Sequence, residues 1–145
     1  MQAGEQFNTI KANGYDISPT ICYEIAFDSI VAETADRSNL FVTLSNDTWF
    51  GDSIGPYQHL EIAQTRAIEH ERSIIRATNS GISAIINEKG KVQGNIEIFG
   101  KDSLTSIVSI RKGTTPYSIL KNYPLYLYLL LVLLYLYYKK RTNVT

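Results

Sequence analysis

The only cysteine of the 145-residue sequence, Cys22, is its strongest candidate nucleophile. A thiolate attacks an acyl carbon and splits one hard displacement into two easier ones. It needs a base or a positive neighbour to lower its pKa. It also needs donors for the oxyanion, and backbone N–H groups just after a nucleophile supply them. Tyr23 and Glu24 follow Cys22 directly. Taken alone, Cys22 reads more naturally as a small buried hydrophobe. Arg66 and Glu69 stand at i, i+3, a spacing that pairs them on one helix face. Trp49 and Phe50 are either core aromatics or the lining of an acyl-chain groove; Phe50 reads as core, and Trp49 remains open. His59 and His70 are three turns apart on an expected helix, too far for one metal ion, and read as surface or interface residues. No metal and no cofactor are therefore expected.

Composition narrows the partners. Basic and acidic residues balance at fourteen each, which gives no electrostatic basis for nucleic-acid binding. A single cysteine excludes an internal disulfide and a Cys-rich zinc site.

The elements that must position Cys22 follow an α/β pattern. Residues 15–22 read as a strand, although Pro19 argues against a central hydrogen-bonding position. Asp28 or Ser29 caps a short helix. Residues 40–44 form a buried strand and residues 46–55 a loop. Pro56 suits a first helical turn, and Leu60, Ala63 and Ala67 mark a buried stripe. Strands are expected at 73–77, 82–87, 92–99 and 104–110. Between the second and third of these, Glu88 to Lys91 makes a hairpin turn, with Gly90 at positive φ.

Four motifs occur in order: Pro19-Thr20-Ile21-Cys22-Tyr23-Glu24, Ser45-Asn46-Asp47-Thr48-Trp49-Phe50-Gly51, Arg66-Ala67-Ile68-Glu69 and Arg76-Ala77-Thr78-Asn79-Ser80-Gly81. Together they resemble the nitrilase, or carbon–nitrogen hydrolase, superfamily. Residues 46–59, with Thr115-Pro116-Tyr117 and Asn122-Tyr123-Pro124, are most similar to its bacterial apolipoprotein N-acyltransferases. The resemblance implies part of a four-layer αββα sandwich, with Cys22 as the catalytic cysteine, Tyr23 and Glu24 as supporting residues, and Arg66–Glu69 as a structural pair. It implies acyl transfer from a phospholipid to the thiol, then to the amine of a diacylated apolipoprotein. The family's glutamate base and lysine lie upstream of its cysteine. Glu5 and Lys11 do not sit in those motifs. The sequence is accordingly expected to be a truncated portion that is inactive alone. An amidase of the wider superfamily and a non-catalytic remnant are the competing readings.

Residues 1–113 read as the catalytic portion and 114–122 as a linker. Residues 123–138 carry no charge and are almost wholly Leu and Tyr, which predicts a transmembrane helix. Lys139, Lys140 and Arg141 begin a basic tail over 139–145. The positive-inside rule places that tail in the cytoplasm and the catalytic part in the periplasm, at a bacterial inner membrane. Residues 1–10 are polar and provide no export signal.

Overall fold

A computed structural model describes residues 7–142; Glu5, the first part of the 1–113 unit and the end of the basic tail lie outside these residues. A six-stranded sheet has its strands in sequence order: β1 (Ile10–Ala12), β2 (Tyr15–Ile21), β3 (Leu40–Ser45), β4 (Ile74–Thr78), β5 (Ser83–Ile86) and β6 (Val92–Ile96). β2, β3 and β4 are parallel, and the other neighbours are antiparallel. Parallel neighbours require crossovers. Helices α1 (Asp28–Ala35) and α2 (Gly55–His70) supply them.

Alternation along the strands sends Phe41, Thr43 and Ser45 of β3 to a buried face. Ile74 and Arg76 of β4 share it. Val31 and Ala35 of α1 and Ala63 and Ala67 of α2 complete one core with Ile25, Ala84 and Ile86. The two alanines, one turn apart, let α2 lie close to the sheet. Each large aliphatic or aromatic side chain buried here contributes about 1.5–3 kcal/mol. The described residues thus form one α layer on one β layer. The expected mixed α/β class holds, whereas the αββα sandwich would need two further layers.

Pro19 fits because β1 reaches only Ile17 in its pairing with β2. From Ser18 onward β2 pairs with β3 alone, where Pro19 stands opposite Val42. The hairpin turn is as expected: Gly90 has φ +74°, and Asn87 Oδ1 accepts from the N–H groups of Lys89 and Lys91.

The strand expected at 104–110 does not form. Side chains, not a neighbouring strand, hold this stretch. Ser73 Oγ donates to the Ser109 carbonyl at 2.9 Å, and Asn39 Nδ2 to that of Arg111 at 3.2 Å. Buried Arg72 anchors the chain a little further on, donating to the carbonyls of Ser38 at 2.8 Å and Gly113 at 2.6 Å.

The expected linker contains a short helix, α3 (Pro116–Leu120), which Thr115 caps by accepting from the Ser118 N–H. α4 (Tyr123–Thr142) comes next, with large apolar side chains exposed all round. No helix among the described residues is long and apolar enough to cross a membrane. Six tyrosines and the terminal Lys139, Lys140 and Arg141 lower the mean hydropathy of α4 despite its eight leucines.

Candidate active site

Cys22 sits where β2 ends and a 3-10 turn, Cys22–Ala26, begins. Its φ is +54°, a left-handed conformation that a residue with a Cβ rarely adopts. Such strain persists only where the surroundings enforce it. Glu24 does part of that work. Its Oε2 accepts from the Ile21 N–H at 2.7 Å, closing the turn over the cysteine. Glu24 therefore holds the nucleophile's backbone. Replacing it with Ala should cost about 0.5–2 kcal/mol, the usual loss for a helix-end cap. Thermal melts of the variant beside Glu24→Gln, which keeps an acceptor, will measure this.

The neighbouring strand β3 ends level with Cys22, since Ile21 pairs with Leu44. This brings Ser45 Oγ to 3.9 Å from Cys22 Sγ. The same hydroxyl lies 2.5 Å from Asp47 Oδ1. It has a single proton, and the carboxylate is the closer and stronger acceptor. Ser45 therefore turns lone pairs toward the thiol. Asp47 is fully buried. Arg76 pairs with its Oδ2 at 2.5 Å and His59 Nδ1 meets its Oδ1 at 3.0 Å. Arg76 Nε is also spent, on the Ile82 carbonyl at 3.1 Å. Gly81 must be glycine here, because a Cβ would lie 2.2 Å from Asp47 Oδ2.

Sequence reasoning missed this buried Asp47–Arg76–His59 cluster. The available signal was an Asp and an Arg each inside a recognised motif. His59 and His70 are each 1% exposed, which corrects their reading as surface residues. Burial pushes the His59 imidazole below its ordinary 6.5; Arg76 acts in the same direction and Asp47 opposes both. His70 is lowered too, chiefly by burial. The unfolded chain therefore binds more protons than the folded one just below pH 6.5. Stability should be fully present above that pH and fall as pH drops toward the depressed folded values. Urea unfolding between pH 7.5 and pH 5, with His59→Gln showing a shallower loss, will check the sign.

Tyr23 is half exposed. Its ring meets Phe27 edge-on at 5.9 Å and lies 5.8 Å from that of His59. A cavity of about 70 Å³ is lined by Tyr23, Phe50, Gly55, Gln58, His59 and Ile62. Trp49 is 88% exposed and is not among these residues, while Phe50 is partly buried. Arg66 and Glu69 do form an ion pair. Arg66 also donates through Nε and NH2 to the carbonyls of Ile25 and Ala26, each at 3.1 Å. The pair thus braces the far end of the Cys22 turn against α2. Asp28 is the first residue of α1 without capping it; its carboxylate faces Arg66 and His70 instead.

Cys22 thus stands at the carboxyl end of a parallel strand, on a sheet backed by two helices. The chain belongs to the carbon–nitrogen hydrolase family, whose model matches residues 1–116. Among curated proteins it is similar to apolipoprotein N-acyltransferases. The one from Photobacterium profundum is 44% identical over 120 residues, covering 82% of this chain and 23% of the relative. That of Haemophilus influenzae is 45% identical over 135 residues, covering 92% and 26%. This chain thus spans about a quarter of the length of the curated relatives it matches. Among solved structures, a carbon–nitrogen hydrolase superfamily protein from Xanthomonas campestris matches with TM-score 0.59 at 20% identity, over 69% of this chain and 43% of that one. The Nesterenkonia amidase of the nitrilase superfamily matches with TM-score 0.55 at 21% identity, over 66% and 39%. These two show the fold.

Proposed function

We propose that this chain is the nucleophile-bearing portion of an apolipoprotein N-acyltransferase. The supporting observation is identity of 44–45% to such enzymes over 80–92% of the chain. In the first step the Cys22 thiolate attacks the carbonyl carbon of a phospholipid acyl ester. The C–O bond breaks, and the lysophospholipid oxygen leaves with the proton that a base took from the Cys22 thiol. In the second step the α-amine of a diacylated apolipoprotein attacks the thioester. The C–S bond breaks, an amide forms and the amine's proton passes to a base. The N–H groups opening the 3-10 turn, which have no partner within the turn, are suited to the oxyanion. On the family pattern, the base and the lysine come from a glutamate and a lysine outside the motifs present here. The 145 residues alone are therefore expected to show no turnover. The same pattern would complete the four-layer sandwich from elsewhere.

We further read α4 as the membrane anchor, with its C-terminal basic residues on the cytoplasmic side and the Cys22 domain in the periplasm. Its apolar surface is exposed on all sides, and water does not tolerate a patch of that size. Tyrosines at both ends suit the headgroup level. Deleting residues 123–142 should release the chain from phospholipid vesicles in a flotation assay.

The amidase reading draws on the fold of the solved relatives, and water would then be the acceptor. To separate the two, this chain can replace the matching segment of the Haemophilus influenzae relative. N-acylation of a diacylated lipoprotein acceptor by that chimera is the expected outcome. Hydrolysis of small amides without lipid transfer would overturn the acyltransferase reading.

A further inference from the structure

A second polar cluster, separate from the Cys22 site, joins Asp28 at the start of α1, Glu69 and His70 at the end of α2, and Thr115 and Ser118 around α3. Its protons can be traced one by one. Thr115 Oγ1 lies 2.5 Å from the Glu69 carbonyl, which only accepts, so Thr115 spends its proton there. Ser118 Oγ is 3.0 Å from Thr115 Oγ1, whose proton is already spent, so a hydrogen bond in that pair is donated by Ser118. Ser118 Oγ then has only lone pairs for His70 Nδ1, also at 3.0 Å. With Ser118 donating to Thr115, the fitting tautomer of His70 carries its proton on Nδ1. Its Nε2 presents a bare lone pair, 3.7 Å from Asp28 Oδ1.

Two acceptors thus face each other. His70 is 1% exposed, and both Nε2 and Asp28 Oδ1 are buried without a hydrogen-bond partner among the described residues. Acceptor facing acceptor is unfavourable, and a cation between them would relieve it. Ligand atoms of Asp28, Glu69 and His70 all fall within 4.8 Å of one another. Arg66 pairs with Glu69 and stands 3.8 Å from Asp28 Oδ1, so two carboxylates and one guanidinium leave a single negative charge. Arg66 already engages Glu69, which makes Asp28 and His70 the leading ligands. A cavity of about 190 Å³ lined by Asp28, Lys121, Asn122, Tyr123 and Tyr126 adjoins the cluster at Asp28.

We propose that Asp28, Glu69 and His70 form a binding site for a divalent metal ion of the zinc class. One imidazole with two carboxylates suits zinc, cobalt or nickel, whereas magnesium and calcium prefer oxygen alone. An Nδ1–H donated to an oxygen, here Ser118 Oγ, is the usual way a protein orients a ligating imidazole. Because Ser118 belongs to α3, the ion would fasten the segment leading into α4 onto the catalytic domain.

The test is a titration of the full 145-residue chain, stripped with chelator in detergent micelles, with Co²⁺ and then Zn²⁺. Expected are one Co²⁺ per chain, a visible d–d absorption band and its displacement by Zn²⁺. Asp28→Asn and Ser118→Ala should each weaken binding by at least about tenfold. Cys22→Ser should leave the band unchanged. Asp28, whose side chain is 22% exposed, gives the decisive variant, since His70→Gln disturbs a buried position. Absence of a band at millimolar Co²⁺, a band that survives Asp28→Asn, or a band lost in Cys22→Ser would each overturn the site.

Discussion

Cys22→Ser is expected to lower N-acylation by the Haemophilus influenzae chimera by at least about 10⁴-fold, the scale seen when an acyl-transfer enzyme loses its nucleophile. A serine hydroxyl is nearly isosteric, so the turn at φ +54° and the Glu24 cap should survive. What changes is the anion. A thiol ionises near neutral pH far more readily than a hydroxyl. Ser45 cannot help the hydroxyl lose its proton, because its own proton is spent on Asp47. A labelled acyl thioester, trapped from phospholipid in the parent, should vanish in the variant while the melting temperature stays close to the parent's. Transfer at the parent rate by Cys22→Ser would remove Cys22 from the mechanism.

The second large effect lies beneath the site. Arg76→Met should destabilise the fold by about 3–5 kcal/mol, the cost of leaving a buried carboxylate without its partner. Both side chains of the Arg76–Asp47 pair are fully buried. Asp47 would keep only Ser45 and His59 as neighbours, and burial works against a charge on His59. Asp47→Asn in the same background removes the stranded charge. The double variant should therefore be less destabilised than the sum of the two single ones, by about 0.5–3 kcal/mol for groups in one network. Urea denaturation of the four proteins measures this directly. Strict additivity would mean that the pair is energetically uncoupled. The cluster also locates Ser45 beside the thiol, so lost stability and lost transfer should appear together in Arg76→Met.

Local patterning made the parallel strands, both crossover helices and the 88–91 turn legible in the sequence. The position of Cys22 at a strand end came from the same patterning, and its significance from the four ordered motifs. Other features depend on distant contacts. His59 and His70 read as surface or interface residues in the sequence. Only the packing of that helix reveals that the face at 56, 59, 63, 67 and 70 is buried. Asp47 gains its meaning from Arg76, twenty-nine residues away, and Asp28 from His70. Residues 104–110 have strand-like composition, yet Ser73 and Asn39 take up backbone groups that a strand would have used. Side-chain competition of this kind leaves little periodic trace.

Trp49 has an optical consequence. It is the sole tryptophan of the sequence, is 88% exposed, and lies in the turn after β3 at the Cys22 end of the sheet. Its fluorescence thus arises from one known place, in water, in the turn that follows β3. Entry of an acyl chain or contact with a lipid surface there would shift the emission to the blue and shield it from aqueous quenchers. The indole is a native reporter of lipid contact at this end of the sheet, readable without labelling the protein.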